Sequence, residues 1–210
     1  MIVIGLTGSI GMGKSATAAM FAEAGAAVWD ADAAVARLYG PGGAAVEGVA
    51  RIAPDCVIGQ GPDRAVDRPA LRAAVTADPT LIPQLEALVH PLVGEDRAEF
   101  LARARAEGRE VAVCDVPLLF ETGGEARVDV VVVVSAPAEV QRARVLERPG
   151  MTQATLDTIL SKQTPDAEKR ARADFVVNSS RGLDDAARQV RAILDALRRL
   201  DGGPPDDGGD

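Results

Sequence analysis

Gly8, Gly13, Lys14 and Ser15 occupy the fixed positions of the pattern G-x-x-x-x-G-K-[ST] inside GLTGSIGMGKSA, residues 5–16. A loop of this type holds a polyphosphate. Its glycines let the backbone turn so that N–H groups face phosphate oxygens, and the helix that follows adds partial positive charge. Lys14 would reach the β- and γ-phosphates of a nucleotide, and the Ser15 hydroxyl would ligate Mg²⁺. Lysine is scarce in this chain. It occurs at positions 14, 162 and 169 among 23 basic residues, and the rest are arginine. A chain with that bias keeps a compact ammonium where a flat guanidinium would not suit a phosphate cradle.

Other side chains fall where chemistry would need them. Asp30 and Asp32, in VWDADAAVARLY, lie where an apolar run ends and a helical pattern begins. Ligands of open α/β sheets bind at the carboxyl ends of strands. Asp30 suits a helix N-cap. Asp32 is the candidate to take a proton from a substrate hydroxyl as it attacks the γ-phosphate. Asp115, in VCDVPLLFE, is a candidate Mg²⁺ ligand, directly or through water, or else a turn residue. His90 is the only histidine, just before Pro91, and is either structural or a substrate contact. QRARVLERPGMT carries Arg142, Arg144 and Arg148. On a helix Arg144 and Arg148 share a face and can close over phosphates, although such runs are also common on solvated faces. Asn178, the sole asparagine, either hydrogen-bonds an adenine edge or shapes a turn.

The elements that must position these groups are legible as alternating runs. Apolar stretches suited to buried parallel strands fall at 2–6, 26–29, 111–115, 128–134 and 174–177, mostly separated by helical patterns. That alternation predicts a three-layer α/β domain with a parallel sheet. SATAAMFAEAGA places Ala16, Ala19, Met20 and Glu23 at helical spacing, with Gly25 as its C-cap. Between 40 and 107 strand-like runs become scarce, and ADPTLIPQLEALVHPLV and GEDRAEFLARARAEG read as two helices of an insertion. Residues 137–172 are helical and rich in charge. LDDAARQVRAILDALRRL carries a core-facing stripe of Ala187, Val190, Ile193, Leu194, Leu197 and Leu200. The acidic, Gly- and Pro-rich segment 201–210 is expected to be disordered.

Composition bounds the function. The 210 residues are 47% apolar, enough for one large domain with a substantial core. Six aromatic residues argue against a base-stacking nucleic-acid platform. A net charge of −8 argues against duplex DNA or anionic membranes as main partners, and no apolar run is long enough to span a bilayer. Cys56 and Cys114 lack metal-ligand spacing, and a reducing cytoplasm is the expected location. No oligomeric interface is legible, and a monomer is the simplest expectation.

The chain resembles the dephospho-CoA kinase family over residues 1 to about 200. GLTGSIGMGKS, DADAAVARLY, HPLV, DVPLLFETGGE, QRARVLER and ADFVVNSS occur in that family's order and spacing. The resemblance implies a P-loop kinase fold with a parallel five-stranded sheet, a helical substrate-binding insertion and a helical lid. The core would comprise about 1–39 and 108–200, the CoA-binding insertion about 40–107, and the lid about 137–165. It implies ATP-dependent phosphorylation of the ribose 3′-hydroxyl of dephospho-CoA with Mg²⁺. ATP would be held by Gly8, Gly11, Met12, Gly13, Lys14, Ser15, Ala16 and Asn178. Catalysis would rest on Asp32, Lys14, Arg144 and Arg148. The acceptor would meet Asp32, Arg37, His90 and Glu121, and the metal would meet Ser15 and Asp115. Ser9, Met12 and Ala16 stand where that family usually has Gly, Ser and Thr, and Pro149 where it often has Asp. The alternatives are another P-loop kinase of a nucleoside, nucleotide or sugar, and an ATP-driven regulator. A GTP switch is disfavoured because the one asparagine is followed by Ser, leaving no N-K-x-D element.

Overall fold

The computed structural model describes residues 1–200, so the segment 201–210 expected to be disordered lies outside the described residues. In chain order the elements are β1 (Ile2–Thr7), α1 (Lys14–Glu23), β2 (Ala27–Asp30), α2 (Ala31–Tyr39), α3 (Val46–Ile52), β3 (Val57–Ile58), β4 (Ala65–Val66) and α4 (Arg68–Ala77). There follow α5 (Leu81–Ala106), β5 (Val111–Asp115), β6 (Val130–Ser135), α6 (Ala138–Leu146), α7 (Gln153–Leu160), α8 (Asp166–Ala171), β7 (Phe175–Asn178) and α9 (Leu183–Leu200). The chain divides into two compact units, one of residues 1–28 with 107–200 and one of Trp29–Ala106.

The first unit is built on a five-stranded sheet of order β2-β5-β1-β6-β7. β1 pairs in parallel with β5 and β6, and β6 with β7. Its three central strands, β5, β1 and β6, are buried on both faces, which is why they read as unbroken aliphatic runs rather than alternating ones. Val132 and Val134 face a core that also takes Ile4, Leu6 and Phe21 and the α9 stripe, whereas Val131 and Val133 join Leu119 and Phe120. Val190, Ile193, Leu194 and Leu197 of the α9 stripe are buried as its periodicity predicts, whereas Ala186 is buried and Ala187 only half-buried.

α1 is the helix that the spacing predicts. Thr17, Ala18 and Phe21 are its buried residues, while Ala16, Ala19 and Glu23 are exposed. The helix ends in a Schellman arrangement. Gly25, at φ 94°, donates its N–H to Ala22 O at 3.0 Å, and Ala26 donates to Phe21 O at 3.0 Å. Ala24 is the C-cap itself, and the glycine stands one residue beyond it, where the left-handed backbone is needed.

The second unit packs α3, α4 and α5 and a small hairpin around Val46, Val49, Cys56, Val66, Leu71 and Leu85. Strands β3 and β4 pair antiparallel, Val57 with Val66 and Ile58 with Ala65. Two-residue strands carry no periodicity, so pattern alone does not reveal them. A Cβ on Gly59, at φ 80°, would stand 2.4 Å from the Asp63 carbonyl, so this turn requires glycine. The two helices expected between 77 and 108 are one 26-residue helix, α5, with Pro91 inside it. Pro91 removes the N–H that would reach Ala87 and its ring crowds that carbonyl, but packing of Leu85, Val89, Leu101 and Ala104 carries the helix through.

Candidate active site

β1 delivers the chain into the loop 8–13, and α1 begins at Lys14. A Cβ on Gly8 would lie 2.6 Å from the Val134 carbonyl oxygen, and one on Gly11, at φ 78°, would lie 2.5 Å from Val145 Cγ2. Gly13 caps α1 at φ 88° in the left-handed region. Within the loop Met12 N–H donates to Ser9 O at 3.1 Å, and Met12 Sδ accepts from Ala136 N–H at 3.1 Å. Ser9 and Met12 are therefore buried parts of the loop's own scaffold. Thr17 N–H makes the first helical bond, to Gly13 O at 3.1 Å. The N–H groups of Lys14, Ser15 and Ala16 have no helical carbonyl before them and present an anion site at the positive end of α1.

The β1–β5 register sets Leu6 beside Asp115 and so brings Asp115 to the same sheet edge as the loop. Asp115 is buried and forms an ion pair with the Lys14 ammonium, which is itself mostly covered. The Asp115 carboxylate thus aims the lysine expected to meet phosphate. Ser15 is exposed at the second position of α1.

Two arginines read as one helical face turn out to be separate. α6 ends at Leu146, and Arg148 lies beyond it, exposed, its side chain making no hydrogen bond or ion pair among the described residues. Arg144 reaches the loop instead. Its Nη1 donates to Ser179 Oγ at 2.9 Å and its Nη2 to Ser179 O at 2.8 Å, while Ser179 Oγ donates to Met12 O at 2.7 Å. Asn178 shapes a turn, its Oδ1 accepting from Ser180 N–H at 2.9 Å and Ser180 Oγ at 2.7 Å. Glu121 Oε1 accepts from Thr164 N–H at 2.7 Å and lies 3.0 Å from Lys169 Nζ. Ile10 is gripped from both sides, its N–H by Gln163 Oε1 at 3.2 Å and its carbonyl by Gln141 Nε2 at 2.7 Å.

In the second unit, Asp30 ends β2 and caps α2, accepting from Ala33 N–H at 2.9 Å as its sequence position predicts. That leaves Asp32, in the first turn of α2, exposed, its side chain making no hydrogen bond or ion pair among the described residues. Arg37 forks onto Asp96, with Nη2 2.7 Å from Oδ1 and Nε 3.3 Å from Oδ2, and Trp29 Nε1 donates to Oδ1 at 2.6 Å. Burial alone would raise the Asp96 carboxyl, but the Trp29 and Arg37 hydrogen bonds and the Arg37 charge hold it below the ordinary range. His90 is exposed on α5.

Ser179, Gln141, Gln163, Asp96 and Lys169 escape sequence reasoning. Gln141 and Ser179 lie within QRARVLER and ADFVVNSS but give no sign there of their partners, and among the other three only Lys169 carries a signal, as one of three lysines in an arginine-rich chain.

A glycine loop between β1 and α1, with its lysine paired to the acid ending β5 on a parallel sheet, defines a P-loop kinase domain. A solved structure from Thermus thermophilus superposes with TM-score 0.78 at 36% identity, covering 93% of this chain and 97% of its own. Dephospho-CoA kinase from Campylobacter jejuni shares the fold with TM-score 0.70 at 20% identity, covering 95% and 98%. The dephospho-CoA kinase family profile matches residues 2–185. The dephospho-CoA kinase of Mesorhizobium japonicum is 56% identical over 198 residues, 94% of this chain and 98% of that one. The chain belongs to the dephospho-CoA kinase family. Its reaction is transfer of the γ-phosphoryl group of ATP to the ribose 3′-hydroxyl of dephospho-CoA, giving coenzyme A and ADP. Among the described residues no helix is long and apolar enough to cross a membrane.

Proposed function

We propose that the reaction is divided among the residues as follows. The amides of Gly11, Gly13, Lys14, Ser15 and Ala16 hold the triphosphate, and the Lys14 ammonium neutralises charge on its terminal oxygens. Asp32 orients the ribose hydroxyl and accepts its proton. Arg148 closes over the phosphates with the segment 137–165 as a lid, excluding water so that ATP is not lost to hydrolysis. Arg144 steadies the loop through Ser179, and Arg37, His90 and Glu121 belong to acceptor recognition, Arg37 through its fork with Asp96. The observation that carries this reading is the Lys14–Asp115 pair at the mouth of a loop whose first-turn amides have no helical carbonyl.

Mg²⁺ fits this donor set. Among the described residues no group of three His, Cys, Asp or Glu side chains could cage a metal. A hydroxyl at Ser15 and a carboxylate at Asp115 suit a hard cation carried mainly by phosphates and water. When bound, Mg²⁺ would neutralise charge on the β- and γ-phosphates. The cytoplasm is the proposed location, in keeping with two buried cysteine thiols in a metabolic enzyme.

An assay with ATP, Mg²⁺ and dephospho-CoA as sole acceptor, read by mass, tests the reading. Coenzyme A is the expected product. Phosphorylation of a nucleoside, nucleotide or sugar in its place, with no coenzyme A, would overturn it.

A further inference from the structure

The phosphate loop is held by more than its own glycines, and the grip traces back to a buried ion pair. Lys169, on α8, is 0% exposed, and its Nζ lies 3.0 Å from Glu121 Oε1. Burial would raise the Glu121 carboxyl, but the Lys169 ammonium and the Thr164 N–H outweigh it and hold it below the ordinary range. The Glu121 carboxyl therefore gives up its proton more readily here than a free carboxyl does. Such a pair contributes little net stability, because desolvation offsets most of the Coulomb attraction. Here it is not even fully satisfied. Lys169 Nζ meets its partner off the direction of a good hydrogen bond, and Glu121 Oε2, Glu125 Oε2 and Asp166 Oδ1 are also buried without hydrogen-bond partners. A buried pair that adds little to stability calls for another account of its place.

The residues between the partners supply it. Thr164 N–H is fixed on Glu121 Oε1 at 2.7 Å, and the neighbouring Gln163 reaches Ile10 N–H in the phosphate loop at 3.2 Å. Asp166 Oδ2 accepts from Ser135 Oγ, at the end of β6, at 2.9 Å. From 163 to 169, then, one short segment is tied to the loop, to the strand end and to the Glu121 carboxylate. We infer that the Glu121–Lys169 pair is a positioning device. It sets the backbone at Thr164 so that Gln163 clamps Ile10 and holds the loop in its nucleotide-binding shape before nucleotide arrives. A compact ammonium fits this dry site beside a single carboxylate oxygen, where a guanidinium would need a wider fork. Pre-formed geometry lowers the ordering cost of binding.

The inference rests on residues 8–16 being the ATP site, so its test is read in nucleotide binding, apart from acceptor chemistry. ADP affinity is measured by titration calorimetry, well below each protein's melting temperature, for the parent, Gln163→Ala, Lys169→Met and the double variant. Loss of one neutral hydrogen bond corresponds to about five- to tenfold in affinity. Gln163→Ala and Lys169→Met should each weaken ADP by about that factor, and the double variant should be no weaker than Lys169→Met alone. Parent-like ADP affinity in Gln163→Ala, or factors that multiply in the double variant, would overturn the inference. If Lys169→Met does not fold, Gln163→Ala decides alone. A parent chain that does not bind ADP would instead overturn the ATP-site reading.

Discussion

Lys14, the first residue of α1, and Asp115, the last residue of β5, form an ion pair whose carboxylate is 2% exposed and whose lysine side chain is 16% exposed. They are 101 residues apart in sequence. The parallel pairing of β1 with β5 is what brings the loop and the acid to one sheet edge. Lys14 thus has a structural task in this pair beside the one proposed for it toward the phosphate.

Both tasks predict the behaviour of Lys14→Met. Breaking a buried pair by removing one partner costs up to about 3–5 kcal/mol, less where the site is partly wet. The variant should unfold at lower urea than the parent and lose about 10²-fold or more in turnover, the scale of one removed charge-stabilising group. Urea titration and a coupled ADP-release assay measure the two losses. Unchanged turnover would remove Lys14 from the chemistry, and unchanged stability would remove the pair from the fold.

The two aspartates at the start of α2 should separate cleanly. Asp30→Ala removes a helix cap and should cost about 0.5–2 kcal/mol of stability. Asp32 is exposed, so Asp32→Asn should leave the melting temperature near that of the parent. It should also leave ATP binding intact while turnover falls by about 10²-fold or more, as for loss of a general base. Near-normal turnover of Asp32→Asn would disqualify it as the base.

Gly8→Ala tests the loop's steric limit. The added methyl would meet the Val134 carbonyl oxygen at 2.6 Å, a backbone atom that cannot swing aside. ATP affinity should fall well beyond the change at Ala16→Ser, where the side chain is exposed. Equal affinities for the two variants would mean that the loop relaxes without penalty.

Asp96 predicts a pH signature. Its carboxyl is held below the ordinary range despite burial, by Trp29 and Arg37. It therefore binds its proton less readily folded than unfolded. The stability it contributes is present above the ordinary carboxylate pKa, about 3.9, and is lost as pH falls through its lowered folded value. Asp96→Asn should be less stable than the parent at neutral pH, and the gap should close as the solution is acidified. Urea midpoints from pH 7 to 3 measure it, and a gap of constant size would refute the assignment.

Much of the first unit was legible because its signals are local. A strand buried on both faces has no polar residue to interrupt it, so β1, β5 and β6 stand out within a residue or two of their ends. The glycine loop is legible because its turns permit almost nothing else at Gly8, Gly11 and Gly13. The cap at Asp30 follows from its place between a strand and a helix. The hairpin at Val57–Val66 and the joining of two helical patterns into α5 were not legible. Two-residue strands have no period, and a proline inside a helix is tolerated or not according to the packing on either side.

Chain order and side-chain type alone determine the polyphosphate loop, the alternating α/β plan and the motifs shared with the dephospho-CoA kinase family. Partnership between distant side chains depends on folding, because it is set by sheet order and register rather than by spacing. Lys14 on Asp115, Arg144 on Ser179 and Gln163 on Ile10 each join residues 35 to 153 positions apart. No sequence window is wide enough to contain such pairs. The burial of Lys169 against Glu121 is of the same kind: a lysine looks alike in sequence whether it points at water or into a dry site, and only three-dimensional packing removes the water.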